Sequence, residues 1–339
     1  MESKVLLVGH GSIGQFHLRK LSNLYKFIAV IEPDNLKHRT EINNGCNIQF
    51  YTSLSDIKDL NLYKFAVIAN WGPDHFKTVR DLKNKGVKKF LVEKPLCDSL
   101  WEVDQFEKLV MNKTISMISH FQWSYSYLPD LIKGLSSQDK LGAPVAVVVN
   151  GGAKCLATNG IHLLALANII FNSSPIEDSM LIENNSINPR QSEFLFLEGN
   201  ATWKYTKSRY LSINFFNRSH NSISILINFE YGLGEIINNR VRFYVITDHD
   251  KLKIDKPSRT KTPTKLLYEG EAFNYPDGAD GSDKIYKKME NKIQIGDARH
   301  LIQVTRSFLV SLENQQTKNS IFKFKPLRKF YKYKKWKIS

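Results

Sequence analysis

The sequence predicts an α/β fold in two parts: a doubly wound parallel sheet in the first third, then an α+β domain with an open, mostly antiparallel sheet. Three observations carry this expectation. Short apolar runs alternate with segments of helical spacing as far as about residue 110, and a glycine-rich turn follows the first run. Beyond residue 200, β-branched and aromatic runs succeed one another without intervening helices. With 339 residues the chain is also long enough for two cores, since one core seldom grows past roughly 250–300 residues.

Taken in order, Lys4 to Val8 is an apolar run and Ser12 to Leu24 has helical spacing. Phe27 to Ile31 ends at Glu32-Pro33-Asp34, and Tyr63 to Ala69 ends at Asn70-Trp71-Gly72-Pro73. His75 to Lys85 predicts a helix stopped by Gly86, Lys89 to Val92 a strand, and Trp101 to Val110 a helix. Continuous apolar strands of this length, each followed by a helix, indicate a parallel sheet covered on both faces. Ile115 to Phe121 and Pro144 to Val149 predict further strands. Tyr210 to Phe216, Ser222 to Phe229, Arg240 to Thr247 and Lys251 to Ile254 predict the open sheet. Lys256 to Asp283, rich in Lys, Thr, Pro, Gly and Asp, predicts a long loop, and Ala298 to Glu313 a late helix. The expected division is residues 1–122, residues 123–318, and a basic aromatic tail over 319–339.

Composition narrows the function classes. Hydrophobic residues at 42% and charged residues at 24% suit a globular protein. No apolar run reaches the ~20 residues that span a bilayer, and the short N-terminal run is unlike a secretory signal; a cytoplasmic location is expected. Cys46, Cys97 and Cys155 are scattered, so neither a disulfide framework nor a metal site is expected. The net charge of +15 is concentrated in Phe322 to Ser339, where Lys323, Lys325, Arg328, Lys329, Lys332, Lys334, Lys335 and Lys337 stand among aromatics with no acidic residue. That tail reads as an alternating edge strand with a solvated lysine face, or as a disordered tail. A membrane surface is a second reading for it, and nucleic acid is disfavoured.

Gly9-His10-Gly11-Ser12-Ile13-Gly14 fits G-x-G-x-x-G with a strand before it and a helix after it. Gly9 permits the tight turn, Gly11 lets backbone approach a pyrophosphate, and Gly14 brings helix against strand. The N–H groups of Ser12 and Ile13 then face the phosphates at the helix N-terminus. Glu32, at the end of the next strand, is placed to accept from adenosine ribose hydroxyls and to repel a 2′-phosphate. The expected cofactor is NAD rather than NADP, on a Rossmann domain.

Val92-Glu93-Lys94-Pro95 places a lysine where a buried strand meets a loop, at the crevice end of such a sheet. With the glycine motif, this segment resembles the Gfo/Idh/MocA family of sugar and polyol dehydrogenases. Asn70-Trp71-Gly72-Pro73-Asp74-His75 is similar to the family's Pro-Asn-x-x-His segment. Leu141 to Val145 is similar to the turn before the first strand of its second domain, and Gly151-Gly152 with Thr158-Asn159-Gly160-Ile161-His162 to its Gly-Gly stretch and Asp-x-Gly-x-His motif. The resemblance implies that Lys94 is the active-site lysine, that Glu93 supports the nicotinamide ribose, and that His162 points into the substrate pocket. Asn70, Trp71 and His75 are expected near the cofactor. Thr158 stands where the family usually has aspartate, Ala165 where an aspartate commonly follows the histidine, and Ser119-His120-Phe121-Gln122-Trp123 lacks the usual arginine.

Hydride chemistry needs a group that takes or gives a proton. Lys94 is expected to be that acid/base group, with His162 as a substrate partner or relay held by Thr158. The implied activity is hydride transfer at a hydroxyl or keto carbon of a sugar, polyol or nucleotide sugar, in a homo-oligomer. The alternatives are a catalytically impaired binder of dinucleotide or nucleotide sugar, and a membrane-surface or nucleic-acid binder acting through the tail.

Overall fold

The computed structural model describes residues 4–38, 45–137, 141–187, 195–216, 218–247, 264–272 and 282–318. In the N-terminal part, β1 (Lys4–Val8), β2 (Phe27–Ile31), β4 (Tyr63–Ile68) and β5 (Lys89–Val92) are the predicted apolar strands, buried along nearly their whole length. They join β3 (Asn47–Tyr51) and β6 (Ser116–Ile118) in a six-stranded sheet of order β3-β2-β1-β4-β5-β6, parallel at every pairing. Helices α1 (Ser12–Ser22), α2 (His75–Asn84) and α3 (Leu100–Met111) make the crossovers. Strand order reverses between β1 and β4, which opens a crevice beyond their carboxyl ends. The glycine turn after β1 and the loops after β4 and β5 therefore converge on one place.

Two short helices, α4 (Gln122–Tyr125) and α5 (Leu128–Ser137), lead into the second part. There β7 (Pro144–Gly151), β8 (Glu177–Ile187), β9 (Leu195–Lys204), β10 (Tyr210–Phe215), β11 (Ser224–Phe229), β12 (Gly232–Ile237), β13 (Arg240–Ile246) and β14 (Thr264–Glu271) form an eight-stranded sheet. Its order is β14-β13-β12-β11-β7-β10-β9-β8, and only β7 with β10 is parallel. Inward and outward residues alternate, as in β11 and β10, so one face is core and the other half-open. Helix α6 (Ile161–Phe171) is apolar around most of its circumference and lies buried against the inner face.

The C-terminal helices tie the two sheets together. Helix α7 (Ser282–Glu290) returns to the parallel sheet, where Ile285, Tyr286 and Met289 join Val5, Leu7, Leu18 and Phe65 in one core. Tyr25 donates to Glu290 at 2.9 Å and Lys89 to the carbonyls of Met289 and Asn291. Helix α8 (Ile295–Lys318) holds the edge of the second sheet through Ser311 and Asn314, which meet Trp203 and Asp178. It also packs on α3, with Arg306 paired at 2.7 Å to both Asp104 and Glu107.

Part of the stretch expected to be a loop is ordered: β14 and the start of α7 lie within Lys256 to Asp283. β14 was hidden because its alternation is carried by Lys, Glu and Tyr rather than by an apolar run. The segment Lys251–Ile254 and the tail 319–339 lie outside the described residues. Among the described residues no helix is long and apolar enough to cross a membrane.

Candidate active site

The glycine turn is built by sterics that only glycine satisfies. Gly9 has φ +91°, and a Cβ there would stand 2.7 Å from the Ala69 carbonyl and the Asn70 nitrogen. At Gly14 a Cβ would stand 2.1 Å from the Gly9 carbonyl oxygen, so α1 rests directly on the turn. Gly11 differs: a Cβ built there meets nothing within 4 Å. It faces open space at the N-terminus of α1, where no side chain caps the helix and no acidic residue occupies the first turn. Ser12 and Ile13 are exposed beside it. Free N–H groups, an uncompensated positive dipole end and an open approach are what a pyrophosphate requires.

Glu32, just past β2, is 7% exposed. Its Oε2 accepts from the His10 N–H at 2.8 Å and its Oε1 from the Asp34 N–H at 3.1 Å. The carboxylate thus braces the glycine turn from the adenosine side while keeping unused lone pairs. Asn70, at the end of β4, donates through Nδ2 to Thr78 at 3.0 Å, and its Oδ1 is buried without a protein partner. An orphaned acceptor at the crevice, an open glycine and a strand-end carboxylate fit NAD. Trp71 stands 44% exposed beside them. His75 does not face the crevice as expected. It is buried, with its ring nitrogens 3.0 Å from the carbonyls of Asn70 and Pro95, and so ties the loop after β4 to the loop after β5.

The Lys94–Pro95 bond is cis. Glu93 also departs from expectation: at 4% exposure its carboxylate is consumed inside the protein. Oε1 accepts from His17 Nε2 at 2.8 Å and lies 3.4 Å from His120 Nδ1, and Oε2 accepts from the Lys94 N–H at 3.2 Å. Because His17 donates through Nε2, its Nδ1 accepts from the Tyr286 hydroxyl at 2.6 Å. Burial alone would raise the Glu93 pKa, but the hydrogen bonds from His120 and His17 overcome it and hold the carboxyl well below its ordinary range. Glu93 is therefore a fixed anion beneath the lysine turn rather than a ribose ligand. The ligand-type atoms of His17, Glu93 and His120 lie within 4.8 Å of one another, and hydrogen bonding accounts for that closeness. His17 and His120 were missed in sequence; the signal was a histidine one turn after Gly14 and another just after β6.

From this turn the Lys94 side chain crosses to the second domain, where Nζ donates to the Thr158 carbonyl at 3.2 Å. Thr158 lies in a π-helical segment, Leu156–Gly160, that precedes α6, and such segments recur at functional sites. Its hydroxyl donates to Asn159 at 3.3 Å, so Thr158 meets Lys94 through backbone and does not hold His162 as expected. His162, in the first turn of α6, is 9% exposed with Phe121 edge-on at 5.8 Å, and its Nδ1 has no protein partner. Burial, then the nearby Lys94 charge, hold its pKa well below the ordinary value. His162 thus lies within electrostatic reach of Lys94.

Residues 3–118 match the model of an oxidoreductase family with an NAD-binding Rossmann fold, Gfo/Idh/MocA. The match covers the N-terminal sheet and its helices, about a third of the chain. No curated protein matches the sequence. Solved structures share the fold over nearly the whole chain. A super-repressor mutant of Gal80p from Saccharomyces cerevisiae has a TM-score of 0.71 at 13% identity, covering 94% of this chain and 97% of its own. The UDP-N-acetylglucosamine 3-dehydrogenase GnnA from Acidithiobacillus ferrooxidans has 0.65 at 13%, covering 93% and 99%. An oxidoreductase from Agrobacterium radiobacter in complex with NAD+, L-tartaric acid and magnesium has 0.67 at 13%, covering 93% and 97%. The fold shared with these structures therefore extends through both sheets.

One consequence of these buried histidines concerns pH. His162 and His75 are held neutral, and burial lowers the His300 pKa to about 4. In the unfolded chain each titrates near about 6.5, so the unfolded state binds more protons below that pH. Stability is expected to fall on acidification below about pH 6.5, with His300 alone contributing about 2 kcal/mol between pH 7 and pH 5. Urea melts of wild type and His300→Leu across this range should show a shallower slope in the variant; parallel slopes would contradict the assignment.

Proposed function

We propose that this protein is an NAD-dependent oxidoreductase acting at a hydroxyl or keto carbon of a sugar, polyol or nucleotide-linked sugar. The observation that carries this is the meeting of Lys94, from the turn after β5, with the Thr158 carbonyl in the π-helical segment just before His162. When bound, NAD supplies the hydride chemistry. The turn from Gly9 to Gly14 holds the pyrophosphate, Glu32 accepts the adenosine ribose hydroxyls, and the Asn70 side chain and Trp71 border the nicotinamide end. Lys94 Nζ, in its neutral amine form, takes the hydroxyl proton during alcohol oxidation, and as the ammonium gives it to the carbonyl oxygen during reduction. His162, neutral and with Nδ1 free, accepts or donates one hydrogen bond to a second hydroxyl. The buried Glu93 anion, fixed by two histidines, supports the lysine turn from below. The half-open outer face of the eight-stranded sheet supports self-association.

The test is to incubate the protein with NAD and with NADH against a panel of aldoses, inositols and UDP-sugars, following absorbance of the reduced nicotinamide. Turnover with at least one compound is expected, and binding of NADH without turnover across the panel would reject the proposal. That second outcome is the prediction of another reading, a dinucleotide-binding regulator or sensor. The unpartnered His162 imidazole, with Thr158 and Ala165 in place of carboxylates, favours it.

Cofactor choice gives a separate check. NADH should bind at least about tenfold more tightly than NADPH, equivalent to about 1.4 kcal/mol, because a 2′-phosphate would stand against Glu32. Fluorescence titration of Glu32→Ser should narrow that ratio, and an unchanged ratio would dismiss Glu32 as the discriminating group.

A further inference from the structure

A second cavity of about 700 Å³ lies where α4, α6, α7 and α8 come together, within the range of small-molecule sites. Phe121 stands between it and the catalytic crevice: its ring is edge-on to His162 at 5.8 Å and to His300, in the cavity wall, at 6.0 Å. The wall holds an unusual share of unmet polar groups. Ser124 Oγ, Asn168 Nδ2, Ser173 Oγ and His300 Nε2 are all buried, and none has a protein partner. Asn168 is fixed, because its Oδ1 accepts from the Tyr205 hydroxyl at 2.7 Å. Buried polar groups left unpaired are unfavourable and are ordinarily satisfied by ligand or ordered water.

The charges around the cavity are matched within the wall. Lys288 pairs with Asp297 at 2.6 Å and Lys284 with Asp130 at 3.6 Å. No surplus cation is left for a phosphate or carboxylate and no surplus anion for an amine. What remains is a set of neutral hydroxyl, amide and imidazole groups, which suits a neutral molecule bearing several hydroxyls.

We propose that this cavity is a second binding site, separate from the dinucleotide crevice, for a neutral polyhydroxylated molecule of monosaccharide or cyclitol size. Occupancy needs neither NAD nor Lys94, which separates this site from the catalytic reading above.

The test uses myo-inositol, glucose and inorganic phosphate as probes on the full chain without NAD, by calorimetry and methyl NMR. Gly296 borders the cavity, and a Cβ there meets nothing within 4 Å, so Gly296→Phe places an aromatic ring at the cavity wall from an unhindered Cβ. One of the two polyols is expected to bind wild type and Lys94→Ala equally, to bind Gly296→Ala normally, and to lose about tenfold or more in affinity for Gly296→Phe. The methyl resonances of Ile169, which also borders the cavity, should shift in the unsubstituted chain, a readout that stands even if Gly296→Phe fails to fold. No binding of either polyol, tighter binding of phosphate, a stationary Ile169 signal, or loss of binding in Lys94→Ala would each overturn the proposal.

Discussion

Alanine at position 94 is expected to lower turnover by a factor of ~10² or more, while affinity for NADH changes only a few-fold. The lysine follows β5, and its amine reaches the Thr158 carbonyl in the π-helical segment before α6. Removing it deletes the proton acceptor without touching the glycine turn. Lys94→Arg should lose as much, because a guanidinium keeps the charge but does not release its proton. The measurement is a kcat and KM comparison with the best substrate found, beside NADH titrations of all three proteins. Near-normal kcat in Lys94→Ala would remove the lysine from the chemistry. Equal losses in kcat and NADH affinity would make it a binding residue instead.

The second large effect separates two glycines three residues apart. Gly14→Ala forces a methyl group to 2.1 Å from the Gly9 carbonyl oxygen, a backbone atom with no rotamer to yield. Loss of about 3 kcal/mol or more in a urea melt is expected, within the range of overpacked sites. Gly11→Ala meets open space with φ at −71°, so stability should hold or rise slightly through the unfolded chain. That methyl group stands where the pyrophosphate approaches, and NADH affinity should fall about tenfold or more. A Gly11→Ala protein that binds NADH like wild type would mean that the dinucleotide does not cross this turn.

Much of the parallel sheet was legible because its strands are buried on both faces, so that each is written as a continuous apolar run. The second sheet was legible only in part. β10, β11 and β13 alternate cleanly, whereas β8 carries Glu177, Asp178, Asn184 and Asn185 at an edge, and β12 opens on two glycines that read as a turn. The position of Lys94 followed from a general rule about strand ends. The position of Glu93 followed the same rule, but its role did not. His17 is 76 residues away in the chain, and no local pattern announces that two histidines will claim the carboxylate. Thr158 illustrates a different limit. Spacing placed it beside His162, but a π-helical turn sends its hydroxyl to Asn159 and leaves only its carbonyl for Lys94.

The return of α7 to the parallel sheet has a consequence for anyone cutting the gene. A fragment ending after β6 would remove Ile285, Tyr286 and Met289 from the core they share with Val5, Leu7, Leu18 and Phe65. It would also strip the Tyr286 hydroxyl from His17, and with it one support of the anion below the lysine turn. The nucleotide module is thus discontinuous in the chain, and a transplantable version must carry a graft of residues 282–293 along with the first 122.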